Sequence, residues 1–470
     1  MSDAELSTVP AQRALVSSLD DAVTRLPAQP KTLRETGLEL ALIVELATKT
    51  IYQVGRIHLP VLTSKLHLSI NVVREVLGAM LTEQLIEIAL RGDSELDVHY
   101  QLTANGRQRA VEFLARSRYV GPAPVTLDAY RELVLRQSAR QGQVSRIRAA
   151  DMASAFADDV FDHALRDQIG AALQSSRALL LYGPAGSGKT TLARKLGLLQ
   201  QGLVAVPFAI LIEHAIVVLH DPRVHLAPAD ARGSDDRRSV DGRWALCRRP
   251  LMEVGSELVP EMLDLRYDAA AGVYHAPPHL MANNGILLVD DLGRQRVATA
   301  DLLNRWSAPL TSGTDHLTMN GGHKLSIPFD VTVVLATNIA PHLLLDESSM
   351  RRVGYKIQVG ALGEDAYRAL FRRQCRLAGI VYDDKALEHL IAHLHRSTCR
   401  PLLACYPADL LDRVLDFASF SGAEPCLSVA AIEQAWISMF AGTSSGAPAP
   451  AHGPVPYFTA CADPLLEKIS

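Results

Sequence analysis

The sequence has no CxxC pair, no basic start leading into an apolar run, and no uncharged stretch long enough to span a bilayer. Its six cysteines, Cys247, Cys375, Cys399, Cys405, Cys426 and Cys461, are scattered along 470 residues. That spacing argues against a zinc site or a disulfide framework and fits a reducing cytosol, so a cytoplasmic protein is expected. The opening residues, MSDAELSTVPAQ, lack the features of a signal peptide. The longest apolar run, Leu203 to Leu219, carries Pro207 near its start and Glu213-His214 near its middle. It reads as two buried strands, and no membrane insertion is expected. An excess of one charge is also missing. The formal net charge of -4 gives no global case for nucleic-acid binding. His214, His220, His225, His275 and His279 show no metal-ligand spacing, and His220-Asp221 with His225 reads as a loop.

What is present is enough chain for two to four domains with an ordinary soluble balance of apolar and charged residues. Residues 1–36 are polar, with Pro10, Pro27 and Pro30, and read as a disordered arm. Residues 37–118 read as helix, helix, helix, hairpin, helix. Ser69 is the expected N-cap of the third helix, and the turn Arg91-Gly92-Asp93-Ser94 joins the two strands. That order resembles a winged helix-turn-helix. Residues 119–175 read as a Pro-containing linker with helical stretches, 176–360 as the core, 361–441 as a helical segment with helices from Glu364 to Leu377, Lys385 to His395 and Pro407 to Phe420, and 442–470 as a flexible Pro/Ala/Gly/Ser tail.

The chemistry is concentrated in the core. Arg177 to Tyr182 fits a buried parallel strand. It feeds Gly183-Pro184-Ala185-Gly186-Ser187-Gly188-Lys189-Thr190, a GxxxxGK[ST] match, and a helix-forming run begins at Thr191. The glycines let backbone N–H groups curl around phosphate oxygens, and the helix aims its positive end at the same anion. Lys189 is placed to reach the β- and γ-phosphates of ATP, and the Thr190 hydroxyl to ligate Mg²⁺. About a hundred residues on, the apolar run Gly285 to Val289 ends in Asp290-Asp291. A strand ending in acids puts carboxylates at the mouth of a parallel sheet. Asp290 is the expected Mg²⁺ ligand through water, and Asp291 the general base for the attacking water.

With these two motifs, residues 176–441 resemble the AAA+ ATPases. The resemblance implies an α/β fold: a P-loop AAA+ core with a parallel sheet flanked by helices, a C-terminal helical lid and an N-terminal winged helix-turn-helix. It further implies that Asn338, after the strand Val333 to Ala336, holds the sensor 1 position. Arg352, with Arg351 as the alternative, falls where these proteins carry an arginine finger that completes a neighbour's site. A homo-oligomeric ring or helix, by analogy a hexamer, follows from that reading. The hairpin signal Asn320-Gly321-Gly322 within Asp315 to Asp330 is similar to the pre-sensor 1 hairpin clade, which includes MoxR-type ATPases and enhancer-binding activators. The activators' GAFTGA loop is absent. Asp264 to Val273 reads DLRYDAAAGV instead, a segment expected to face some other client.

The resemblance has two departures. Many of these proteins carry Glu where Asp291 stands, and the lid's sensor 2 arginine position falls on Ala408, with Arg400 and Arg413 as the nearby alternatives. Both departures predict slow hydrolysis with nucleotide binding retained. The Arg-rich stretch Arg232 to Arg249 reads as a solvated mixed-charge loop. The helix Ser69 to Gln84 offers Asn71, Arg74 and Gln84 beside Glu75 and Glu83, and the wing carries Asp93, Glu95 and Asp97. A surface this close to neutral favours protein docking over DNA. The expected function is an ATP-hydrolysing AAA+ oligomer that remodels or regulates a macromolecular client of unspecified identity. The alternative is a nucleotide-switched regulator with little turnover that binds DNA or a partner protein. A small-molecule kinase is a weaker third reading, since it gives the sensor 1 strand and the long lid no role.

Overall fold

The computed structural model describes residues 26–93, 97–139, 147–157, 161–228 and 240–440. The expected tail and most of the expected arm lie outside these residues. So do Glu95 and the acidic and basic residues between Arg232 and Arg238.

The N-terminal unit runs α1 (Leu40–Val54), β1 (Arg56–His58), α2 (Leu59–Leu66), α3 (Ile70–Thr82), β2 (Ile86–Arg91), β3 (Val98–Leu102) and α4 (Ala104–Arg116). Apolar residues at helical spacing, Ile43, Val44, Ala47 and Ile51, give α1 its buried face. The helices and hairpin occur in the expected order, and β1 adds an edge to an antiparallel sheet ordered β1-β3-β2. Ser69 stands at the N-cap of α3, but its hydroxyl does not cap the helix. It donates instead to the Pro30 carbonyl.

That contact shows why the expected arm is too long. Residues 26–36 are packed: Ala28 bridges Val240, the Asp241 N–H donates to the Pro27 carbonyl at 2.9 Å, and Thr36 is buried in a short helix. The segment 119–175, expected as a Pro-containing linker with helical stretches, needs its linker part corrected. It contains β4 (Val125–Thr126) and α5 (Leu127–Arg136), and Tyr130, Leu133 and Val134 are buried at i, i+3 and i+4. A segment that buries a full tyrosine is structure rather than a tether.

The core continues with β5 (Leu179–Tyr182), α6 (Lys189–Leu199), β6 (Leu203–Pro207), β7 (Ala209–Ile212), β8 (Ala215–Val218), β9 (Trp244–Arg248), β10 (Leu251–Val254), β11 (Arg266–Asp268), β12 (Val273–His275) and β13 (Ile286–Val289). Next come α7 (Thr299–Ser312), β14 (Thr314–Thr318), β15 (Lys324–Pro328), β16 (Thr332–Thr337), α8 (Glu347–Arg352) and β17 (Tyr355–Gln358). The C-terminal helices are α9 (Glu364–Ala378), α10 (Asp384–His389, continued by the π-helical turn Leu390–His395), α11 (Tyr406–Ser421) and α12 (Val429–Phe440).

Five strands form a parallel sheet ordered β10-β13-β16-β5-β17. Its three inner strands, β13, β16 and β5, are almost wholly apolar because both faces are covered. Leu180, Leu287, Val289 and Val333 pack with Trp306 of α7 on one side. Leu179, Leu181, Leu288 and Val334 pack with Leu192 and Leu196 of α6 on the other. A separate helical core is built around Tyr367, Phe371, Leu410 and Trp436. The fold is therefore mixed α/β, a parallel sheet flanked by helices with a helical C-terminal region. No described helix is long and apolar enough to cross a membrane.

A second five-stranded sheet, β11-β12-β8-β7-β4, was not foreseen. The run Leu203 to Leu219 supplies three strands rather than two, because Glu213, with a left-handed φ of 54°, turns β7 into β8. The segment Asp264 to Val273 does not stand free for a client. It forms the β11–β12 hairpin, and its Ala271 carbonyl accepts from the Arg118 N–H at 2.8 Å. Val273, Ala209 and Ile216 complete the core of the N-terminal unit, so this sheet packs directly on that unit.

The Arg-rich stretch corrects likewise where it is described. Arg243 and Arg249 are buried rather than solvated. Arg243 forms a salt bridge with the equally buried Asp241 at 2.8 Å and donates to the Thr36 and Pro124 carbonyls at 3.0 and 3.2 Å. Arg249 donates to the Gln201, Asn284 and Gln137 carbonyls. A guanidinium carries five donors in a fixed fork, so each can tie distant segments together without leaving a donor orphaned. The cysteines bring one more departure. Cys247, Cys375, Cys399 and Cys405 are free thiols, but Cys426 is disulfide-bonded.

Candidate functional site

Strand β5 delivers the chain to the loop Gly183–Thr190 at the carboxyl edge of the parallel sheet. The loop closes tightly enough that its glycines are required. Gly183, Gly186 and Gly188 have φ of 150°, 81° and 94°. A Cβ on Gly183 would meet the Val359 carbonyl oxygen at 2.1 Å, and one on Gly186 the Cys405 sulfur at 2.4 Å. The loop then enters α6 directly, with Gly188 as its left-handed N-cap.

Lys189 is buried, and its ammonium donates to the Gly183 and Pro184 carbonyls at 3.1 and 2.7 Å and to the Ser187 hydroxyl at 3.4 Å. Burial lowers its pKa, while Asp291 and Asp290 pull in the opposite direction. A lysine so placed faces the cavity of the loop as a cation opposed to two carboxylates, the arrangement a polyphosphate–Mg²⁺ group complements.

The strand order decides what else meets the loop. Strand β16 lies between β5 and β13, so its tip comes up beside both the loop and the acidic pair. The Thr190 hydroxyl donates to Asp290 Oδ1 at 3.1 Å, across a hundred residues of sequence. Asn338 Nδ2, just past β16, donates to Asp291 Oδ1 at 2.9 Å. Asp291 takes a left-handed φ of 64°, which turns its carboxylate off the strand axis, and its own N–H donates to Asp290 Oδ1. Aspartate tolerates that conformation better than most residues. The fold is a P-loop core, a parallel sheet with a glycine-rich loop at its carboxyl edge and helices on both faces.

A domain of unknown function, DUF8689, matches residues 363–438, the C-terminal helical unit. No curated protein matches the chain. Among solved structures the chain is similar to NtrX from Brucella abortus in complex with ADP. That similarity has 16% identity, 57% of this chain and 52% of that one covered, and a TM-score of 0.37. It is also similar to the RuvB Holliday junction branch migration motor of Thermotoga maritima, at 16% identity, 60% and 70% coverage and a TM-score of 0.35. The alignment thus spans about half the length of the NtrX chain.

The remaining expected site residues are not gathered here. Arg351 is paired with Glu347 at 2.7 Å on exposed α8, and Arg352 is half-buried near Asp346, whose carboxyl is held low chiefly by its bonds to Ser349. No hydrogen bond or ion pair joins either arginine to the phosphate loop. Ala408 lies in the first turn of α11, beside the loop-contacting Ala404 and Cys405. The Cys405 N–H donates to the Gly186 carbonyl at 3.0 Å, so the lid is seated on the loop through its backbone. The two nearby basic residues have other partners on this helical unit. Arg400 lies 3.8 Å over the Phe440 ring, and Arg413 donates to the Asp409 carbonyl.

Several residues that hold the site escaped the sequence reading. Gln295 donates to the Asp290 carbonyl at 2.7 Å and accepts from the Gly293 N–H, fixing the turn after the acids. The buried Thr337 hydroxyl donates to the Leu292 carbonyl. Arg194, one turn beyond the lysine, makes a two-bond fork with Glu253 of β10. Gln295 acts within five residues of Asp290, whereas the strand order brings Thr337 to Leu292 and Arg194 to Glu253.

Proposed function

We propose that this protein binds Mg·ATP in the Gly183–Thr191 loop and hydrolyses it slowly, as an AAA+ homo-oligomer acting on a macromolecular client. The observation that carries this reading is the pair of cross-strand contacts, Thr190 to Asp290 and Asn338 to Asp291, at one end of a parallel sheet. In this reading Lys189 neutralises the β- and γ-phosphates, and Thr190 and Asp290 hold Mg²⁺, which screens the charge on the transferring group. Asp291 accepts the proton of the attacking water, and Asn338 orients both. Arg352, or Arg351 beside it, reaches a neighbouring subunit's site, so turnover rises steeply with protein concentration. A ring or helix, by analogy a hexamer, supplies that neighbour. The N-terminal unit serves as a winged-helix docking module for protein, with DNA the less favoured partner.

Ala408 favours a second reading, in which the protein is an ATP-held switch with negligible turnover. Calorimetry with purified protein and Mg·ATP tests both readings. Uptake is expected for the parent chain and should be lost in Lys189→Ala, and no uptake by the parent chain would sink both. ATP turnover measured across protein concentrations then separates them, since a switch stays near zero throughout.

A further inference from the structure

A second group of ligand-forming side chains lies far from the phosphate loop, on the sheet of the N-terminal unit. His58 of β1 and His99 of β3 are direct partners in the antiparallel register, so both side chains rise from the same face. Their rings stack at 4.7 Å between centroids, with 26° between planes. Both Nε2 atoms approach one carboxylate oxygen. His58 Nε2 is 3.3 Å and His99 Nε2 3.8 Å from Asp97 Oδ1. All three donor atoms lie within 4.8 Å of one another.

We propose that His58, Asp97 and His99 bind a divalent transition-metal ion of the Zn²⁺ class. Ligands about 2.0–2.1 Å from a tetrahedral zinc ion stand about 3.3 Å apart, which is the scale of the two contacts to Asp97. Two imidazoles and a carboxylate are a donor set suited to this metal, and the partial exposure of all three leaves its fourth position to water. Ordinary hydrogen bonding within the triplet does not account for the arrangement. His58 Nε2 is buried and, among the described residues, has no hydrogen-bond partner, despite its approach to Asp97. A cation between the three groups gives that atom a ligand bond.

The site is also held in place beforehand. The Gly92 N–H donates to the Asp97 carbonyl at 2.7 Å. The carboxylate folds over Gly92 so closely that a Cβ there would lie 1.9 Å from Oδ2. Beside His99, the β2–β3 pairing shifts register between Ile88 and Leu90, a bulge of the kind that re-aims neighbouring side chains. The metal would clamp β1 to β3 and to the tip of the hairpin, without involving the nucleotide.

Zn²⁺ titration of the full chain, with no nucleotide present, tests this by calorimetry. Relative to the parent, His58→Gln and His99→Gln should each lose one equivalent of Zn²⁺ and the accompanying rise in Tm. Equivalents bound elsewhere, such as by His389 with Glu433, should remain. Parent stoichiometry and affinity in both variants would overturn the proposal. Should the variants fail to fold, the parent loaded with one equivalent of Co²⁺ decides instead. Four-coordinate visible bands without a thiolate charge-transfer band support the site, and six-coordinate or thiolate spectra overturn it.

Discussion

The phosphate loop and the joint between the N-terminal unit and the parallel sheet are both organised by buried cations, but their partners come from very different distances along the chain. Lys189 finds all three of its hydrogen-bond partners within six residues. Arg243 collects carbonyls from Thr36 and Pro124, and Arg249 from Gln137, Gln201 and Asn284. The lysine is a single charge in a loop shaped to offer it to an anion. The arginines are forks whose donors are used up inside the protein. Buried charge near a sheet therefore has two meanings here, and they separate by what a substitution disturbs, chemistry or stability.

The largest effect should fall on the joint. Arg243→Met leaves the Asp241 carboxylate buried without its partner, and urea unfolding should show a loss of about 3–5 kcal/mol. The double variant with Asp241→Leu should recover a good part of that loss. An Arg243→Met protein as stable as the parent would break the comparison. Next in size is a change at the site. Asp291→Asn should lower ATP turnover by about 100-fold or more while Tm and Mg·ATP affinity stay near the parent's. Turnover at the parent rate would remove Asp291 from the role of base.

A smaller effect is expected from the base of the β14–β15 hairpin. There the buried Asp315 bonds to His279 at 2.8 Å and to Arg305. Burial raises its pKa, but those two partners outweigh burial and bring it down from 3.8 to about 2. The folded value lies below the unfolded one. Its stabilising contribution, of order 2 kcal/mol, is thus present above about pH 4 and is lost as pH falls from 3.8 towards 2. Acid unfolding of Asp315→Asn should lack that component. The smallest effect should come from Tyr130→Phe, which removes a hydroxyl that accepts from Asn283 Nδ2 at 2.7 Å. Because Asn283 keeps the Pro328 carbonyl at 3.0 Å, a cost of about 1 kcal/mol is expected in the same urea assay.

The two regions were unequally legible. The loop, the acidic strand end, the Asn338 strand and the 320–322 turn each occupy a short stretch whose residue types are dictated locally. Glycines are needed for the tight curl, apolar runs for strands covered on both faces, and Asn-Gly-Gly for the hairpin. Strands β5, β13 and β16 and three of the lid helices accordingly formed close to their expected places. The second sheet was not legible because its strands come from residues 125–126, 209–218 and 266–275. No one stretch of these encodes its neighbour. The Pro-rich opening of residues 119–175 looked like a linker for the same reason, since it is local whereas Asn283, which bonds to Tyr130, lies 153 residues away.

The sequence by itself determined that a tightly curled glycine-rich loop precedes a helix and that an acidic strand end follows, because steric and charge requirements act over a few adjacent residues. Tertiary structure alone decided that β16 stands between them, so that Asn338 meets Asp291. It also decided that the arginines near residue 245 are internal ties rather than surface charge. Those outcomes depend on which strands pair and which carbonyls are left to be satisfied, and both are properties of the assembled chain.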